Sequence, residues 1–320
     1  MPGEIQYAQG IFGLSTETAI DWSTDKIVSF SQFSKYRKCP KSWELAYVRK
    51  HKVPSESIYF VYGTSMHNVI QTWLHVCYTK TAKAANEMDL NAMLLDNMKT
   101  EYVDRVQKHG SHFSTKEELG TFFSDGCQIL NYLKKKRSAY FSTRGTKLMA
   151  IELPLQATPD PNRPTIRLQS HLDLVFYDTR DKKYTIIDIK TAKQGWNKYK
   201  RKDKKTTDQL VLYKKLFCEK FGIDPGDVNI EYFIVRQQID PDSLWPISRV
   251  SQFSPAAGSV SVRRVGKLFQ EFLDAGFDEK GQYIDKNHPA LGGKNYYNCV
   301  YCEYKDRHDL CPPSNRIKGN

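Results

Sequence analysis

The run Ile186-Ile187-Asp188-Ile189-Lys190-Thr191 places the tightest constraint on how this chain can fold. Its β-branched residues specify a strand, and residues two apart on a strand face the same way. Asp188 and Lys190 therefore project together, with Ile187 and Ile189 on the opposite face. A second carboxylate, Asp173 in Leu172-Asp173-Leu174-Val175, lies on the preceding strand, predicted over 166–177. The polar stretch from Asp178 to Lys183 reads as the hairpin turn between the two, which brings Asp173 beside Asp188 in antiparallel register. Two carboxylates at close range repel unless a hard cation such as Mg2+ or Mn2+ sits between them. Such a cation polarises a phosphate and lowers the pKa of bound water, and Lys190 is placed to steer that water. On an ordinary surface strand the same residues would form a plain ion pair, so the surroundings decide.

Those surroundings are ordered. After a lead-in over 1–28, Ser29 caps a helix carrying Phe33 and Tyr36, which Cys39-Pro40 interrupts. Apolar positions Met66, Val69, Ile70, Trp73, Leu74 and Cys77 recur at helical spacing and begin a helical lobe over about 64–145. Strands at 148–155, 166–177 and 184–189, a helix at 208–221, a strand at 228–235 and a helix at 260–277 form an α/β core over about 146–278. A cysteine-rich tail, about 295–320, closes the chain. The whole is expected to be one domain from residue 29 onward.

The charge balance, 48 Lys and Arg against 36 Asp and Glu, gives +12 in 320 residues. With no lysine-rich amphipathic helix and no apolar run long enough to span a bilayer, the expected partner is a polyanion rather than a membrane. Met1-Pro2-Gly3-Glu4 lacks the layout of a signal peptide, so a cytoplasmic location is expected, in a bacterium or a phage-infected host. The segment Trp196, Lys198, Tyr199, Lys200, Arg201, Lys202, Lys204 and Lys205 lies between the Asp188 strand and the next helix. There it can clamp phosphates, with Trp196 and Tyr199 available to stack on unpaired bases. Seven cysteines, an odd number, argue against a disulfide framework in a reducing compartment. Cys299-x-x-Cys302 and Cys311-Pro312 form a thiolate cluster whose fourth ligand is His308 or Cys39. Cys77, Cys127 and Cys218 read as core thiols.

Taken in order, these pieces resemble the PD-(D/E)xK nuclease superfamily, in the branch with RecB-type nuclease domains, exonuclease V and CRISPR-adaptation nucleases. The matching residues are Ser29-x-Ser31-x-Phe33-x-x-Tyr36-x-x-Cys39-Pro40, Gly63-x-x-x-His67, Glu152, Asp173, Asp188-x-Lys190, Gln209-x-x-x-Tyr213 and the terminal cysteines. The resemblance implies a restriction-endonuclease-like core, a central mixed β-sheet flanked by helices. It implies a Mg2+ or Mn2+ site formed by His67, Asp173, Asp188 and the backbone carbonyl of Ile189, with Lys190 positioning water, Gln209 and Tyr213 in support and Glu152 as a further acid. It also implies a four-iron four-sulfur cluster on Cys39, Cys299, Cys302 and Cys311 that staples the C-terminus. Two departures stand out: Ser170 replaces a common glycine three residues before Asp173, and the last cysteine gap is long. A structural Zn2+ or a vacant site is the alternative to the cluster.

The resulting expectation is a metal-dependent DNA exonuclease acting on single strands or free ends. No phosphate-loop motif is present, so any helicase or recombination partner is a separate protein. The competing expectations are a structure-specific endonuclease, a non-catalytic nucleic-acid-binding module and a zinc-stapled adaptor.

Overall fold

The computed structural model describes residues 26–318 apart from 52, 54–55, 240–243 and 245–246, so most of the lead-in lies outside the described residues. Strand β1 (Lys26–Val28) is followed by α1 (Phe30–Lys38), which Ser29 caps by accepting from the Gln32 N–H at 3.3 Å. Cys39 is extended, and Pro40 occupies the first position of α2 (Pro40–Trp43), where its missing N–H is harmless. Helix α3 (Ile58–Thr79) starts at the Ser57 cap, six residues before the expected onset. Its first turn carries Tyr59 and Phe60, both half exposed, which blurs the apolar periodicity there. Then come α4 (Ala82–Glu87), α5 (Leu90–His109), α6 (Lys116–Lys135) and the short α7 (Arg137–Tyr140). Strands β2 (Thr146–Ala157), β3 (Ile166–Asp178) and β4 (Lys183–Ala192) follow, then α8 (Lys198–Lys202), α9 (Lys204–Phe221), β5 (Val228–Arg236), β6 (Val250–Phe253) and α10 (Ser259–Gly276). The tail holds β7 (Ala290–Gly293), α11 (Tyr297–Val300) and β8 (Arg316–Lys318), with β7 and β8 paired in parallel.

The six-stranded sheet is mixed and β3 is its spine. Along one edge β2 pairs antiparallel from Thr146↔Asp178 to Ala157↔Leu168. The other edge is shared: β1 runs parallel over Ile166–Leu168, and β4 runs antiparallel from Asp178↔Lys183 to Leu174↔Ile187. Between Leu168 and Leu174 no described strand covers that edge, and the gap exposes Asp173. The α8–α9 crossover returns β5 parallel to β4, as a right-twisted βαβ unit requires of so long a connection. Strand β6 finishes the sheet antiparallel to β5.

Both faces are covered. Phe33, Trp43, Leu212, Phe217, Phe269 and Phe272 from α1, α2, α9 and α10 pack on Ile186, Ile230 and Tyr232. On the other side Met66, Val69, Trp73, Leu94, Ile129 and Leu133 pack on Ile187, Ile189, Phe233 and Val235. Each such buried side chain contributes about 1.5–3 kcal/mol, enough to pin the register of β4. Cys77 and Cys218 are buried and Cys127 is half-buried against the α3–α5–α6 layer, in line with core thiols. No helix among the described residues is long and apolar enough to cross a membrane. The result is a mixed α/β fold with a central sheet flanked by helices, consistent with a restriction-endonuclease-like core.

Candidate active site

The uncovered edge of β3 is where residues from both sides of the sheet meet. Where the β3–β4 ladder ends, the Asp173 carboxylate takes its place, accepting from the Ile189 N–H at 2.7 Å. Alternation along β4 sends Ile187 and Ile189 into the α3 layer and Asp188 and Lys190 toward α9. Lys190 Nζ lies 2.7 Å from Asp188 Oδ2. The pair is shielded from water on the carboxylate side, since Asp188 is 4% exposed. From α3, His67 Nδ1 approaches Asp173 Oδ2 at 3.6 Å. From β2, Glu152 sits between the pairs Ile151↔Leu174 and Leu153↔Leu172, opposite Asp173, with a left-handed φ of 49°. Such a backbone is strained for a residue with a Cβ. Gln71, one turn beyond His67, holds this arrangement by donating to Glu152 Oε1 at 2.5 Å and to the Asp173 carbonyl at 3.3 Å. Donor atoms of His67, Glu152 and Asp173 all lie within 4.8 Å of one another.

The electrostatics of this group suit a cation. Burial, then the neighbouring Asp188 and Glu152, push the Asp173 carboxyl well above the usual carboxylate range, against the pull of Lys190. Burial also raises Asp188, with Lys190 opposing. His67 is lowered to about 4, first by burial and then by Lys190, so its imidazole is neutral and free to ligate at pH 7. Burial works against the Lys190 ammonium, yet Asp188 and Asp173 outweigh it and raise its pKa. An imidazole nitrogen and carboxylate oxygens form a donor set that fits Mg2+ or Mn2+. The Ile189 backbone, hydrogen-bonded to His67, is adjacent.

These shifts carry a pH dependence. Raised carboxyl pKa values mean that the folded, metal-free protein binds more protons than the unfolded chain above the usual carboxylate range, so these groups lower stability as pH rises. A divalent ion displaces those protons. The rise in Tm at a fixed manganese concentration is therefore expected to grow with pH through the mildly acidic range. Asp173→Asn should remove most of that growth, and a manganese effect flat with pH in the native protein would count against the site.

On α9, Gln209 Nε2 donates to the Tyr213 hydroxyl at 3.1 Å. Tyr213, pushed up to about 12 by burial, is packed edge-on to Phe30. Gln209 and Lys190 line a cleft of about 520 Å³ whose other wall is the Ser31, Ser34, Lys35 and Lys38 face of α1. These positions recur at i, i+3, i+4 and i+7, so one helix face presents two hydroxyls and two ammonium groups to the cleft, the Lys35 ammonium being paired with Glu303, which also lines it. Of the basic segment, Lys205 lines this cleft. Tyr199 is 72% exposed, and Lys198, Lys200, Lys202 and Lys204 face solvent. Trp196 and Arg201 are otherwise engaged. The Trp196 ring packs on Tyr232 and Phe253, and Arg201 bonds the Trp196 carbonyl and Ser251 Oγ, at 3.1 and 2.9 Å. The Trp196 ring is half-buried there, closing the apolar layer over β5 and β6 on one side.

Cys39, Cys299, Cys302 and Cys311 line one small cavity, and Cys39 and Cys302 also border the Lys190 cleft. His308 is exposed and does not line that cavity. The tail is tied down by Asn298 donating to the Lys38 carbonyl at 2.8 Å, the Tyr304 hydroxyl donating to the His51 carbonyl at 2.5 Å, and a Lys35–Glu303 ion pair.

Sequence reasoning missed Gln71, whose one visible signal was its position four residues after His67 on a helix. No curated protein matches the chain. The family model of the PD-(D/E)XK nuclease superfamily matches residues 27–311, and with nearly all of its length so matched the chain belongs to that superfamily.

Proposed function

We propose that this protein is a divalent-metal-dependent deoxyribonuclease that degrades single-stranded DNA or DNA from free ends. The observation that carries the reading is the convergence of His67, Glu152 and Asp173 beside the Asp188–Lys190 pair, whose Lys190 also lines a cleft bordered by Lys35, Lys38 and Lys205. His67, Asp173, Asp188 and the Ile189 carbonyl would hold Mg2+ or Mn2+, with Glu152 beside them. The ion, when bound, would supply Lewis-acid polarisation of the phosphate and a more acidic water. Lys190, held protonated by two carboxylates, cannot accept a proton from water at neutral pH. Its role is to donate to the nucleophile or to a phosphate oxygen as negative charge develops. Gln209 spends one amide hydrogen on Tyr213, and this fixes the amide at the cleft wall. The α1 face of Ser31, Ser34, Lys35 and Lys38 would carry the backbone of the strand, and exposed Tyr199 offers a ring to its bases.

Cys39, Cys299, Cys302 and Cys311, which line one cavity, would hold a four-iron four-sulfur cluster, with a structural Zn2+ or a vacant site as the alternative. With the cluster bound, protein purified without air would be brown, absorbing near about 400 nm.

The deciding experiment uses end-labelled linear and closed circular single-stranded DNA with magnesium or manganese. The expected result is shortening of the linear substrate alone, abolished by EDTA. Cutting of the circle would replace the exonuclease with an endonuclease on the same site. Binding of both DNAs without cutting by cluster-loaded protein would leave a nucleic-acid-binding module.

A further inference from the structure

A second cleft, of about 690 Å³, lies where α9, the start of β5 and the start of α10 meet, and shares no lining residue with the Lys190 cleft. Its floor is the Val228-Asn229-Ile230 segment, and its rim is Ser254, Gly258, Ser259 and Arg263. Two features make this space unusual.

The first is the N-terminus of α10. Its cap is Gly258, which has no side chain to accept from the first turn, and that turn carries no acidic residue. The Val262 N–H donates to the Gly258 carbonyl, which leaves the N–H groups of Ser259, Val260 and Ser261 without a side-chain acceptor. An 18-residue helix concentrates about half a positive charge at that end. The second is Lys214 of α9, whose side chain lines the same cleft and is only 7% exposed. It has no ion-pair or hydrogen-bond partner among the described residues, and burial depresses its ammonium. Asp224, the one carboxylate lining the cleft, already accepts from the Gly226 N–H at 2.6 Å. Lys183 adds a further positive charge close to Lys214, and Arg263 stands at the rim. The Asp224 carboxylate acts on Lys214 at a distance but forms no ion pair with it, so an oxyanion in the cleft would give this ammonium the direct partner it lacks.

We infer that this cleft is a phosphate-binding site, in which the α10 N–H groups and Lys214 take the inner oxygens of a phosphate and Arg263 the outer one. The phosphate belongs to a nucleotide, either a free mononucleotide or a backbone phosphate of a bound strand, and the volume admits a nucleotide whole. The site stands whether or not the chain proves to be a nuclease, since neither Lys214 nor α10 touches the Asp173–Asp188 group.

The test is a thermal-shift titration of the full-length protein with inorganic phosphate and with dAMP, in EDTA so that no metal recruits the anion elsewhere. The native protein and Lys190→Met are expected to show the same saturable rise in Tm. Lys214→Met should bind at least about tenfold more weakly. Gly258→Asp is the stronger variant, because a built Cβ there meets nothing within 4 Å and φ is −70°, so the residue fits and caps the helix. Its metal-free, phosphate-free Tm should be kept or raised while the phosphate response is lost, a pair of results that misfolding does not produce. Retention of the response in Gly258→Asp, or its loss in Lys190→Met, overturns the site. Weakened binding of a 20-nucleotide strand by Lys214→Met would assign the phosphate to a strand backbone, and an unchanged strand affinity with weakened dAMP binding would assign it to a mononucleotide.

Discussion

Lys190→Ala is expected to reduce the single-turnover rate of DNA cleavage by about 10³-fold, at the upper end of what loss of one preorganised donor costs, while DNA binding in EDTA changes little. The reasoning starts from the pair itself. Lys190 is the nearest cation to Asp188, whose carboxyl burial already raises, and it also opposes the raised pKa of Asp173. Removing the ammonium therefore has two effects. It raises both carboxyl pKa values further, which weakens metal binding at neutral pH, and it takes a donor from the reacting phosphate. The two separate on titration with manganese. A variant defective only through its carboxylates recovers the native rate at saturating manganese and higher pH. A variant that has lost a donor to the transition state stays slow at saturation. We expect the second result, and full recovery with manganese would reduce Lys190 to a partner of Asp188.

Much of this site was legible in the sequence because it obeys local rules. The alternation in Ile186–Thr191 put Asp188 and Lys190 on one face, and the polar turn before Lys183 put Asp173 across the hairpin, where the register Leu174↔Ile187 places it. Ser29 marked the start of α1 through ordinary capping chemistry. What was not legible depended on contacts remote in sequence or on unremarkable residue types. Gln71 is uncharged and sits in an otherwise apolar helix, so nothing local distinguishes a bridge to Glu152 81 residues away. Strand β1 has three residues, too few for any period, and exists because β3 offers it an edge. Glu152 lies in a plain β pattern, and nothing in that pattern signals its left-handed backbone. Trp196 adjoins a basic run and so suggested stacking, while the aromatic pocket that holds it comes from β5 and β6.

Asp208 shows the same limit on the stability side. It directly precedes Gln209 and resembles any helix-surface acid, yet its side chain is 1% exposed. Arg264 of α10 grips it with two bonds, Nη2 to Oδ1 at 2.5 Å and Nη1 to Oδ2 at 2.9 Å, and Arg37 of α1 adds a third at 2.8 Å. One carboxylate thus ties α9 to α1 and α10 on the same face of the sheet. Asp208→Ala would leave two guanidinium groups facing each other with no counter-charge, and breaking a buried pair in this way costs about 3–5 kcal/mol. Arg264 is 34% exposed and can turn partly to water, so the lower end, about 3 kcal/mol, is expected. At about 2–3 °C per kcal/mol for a chain of this size, Tm should fall by roughly 6–9 °C. Asp208→Asn keeps an acceptor but not the charge and should lose about half as much. Because Asp208 touches no reacting group, cleavage per folded molecule, measured well below the lowered Tm, should fall far less than in Lys190→Ala. A native Tm in Asp208→Ala would mean that the three helices are held by their apolar contacts alone. A rate loss as deep as that of Lys190→Ala would instead mean that Gln209 depends on this ion pair for its place at the cleft.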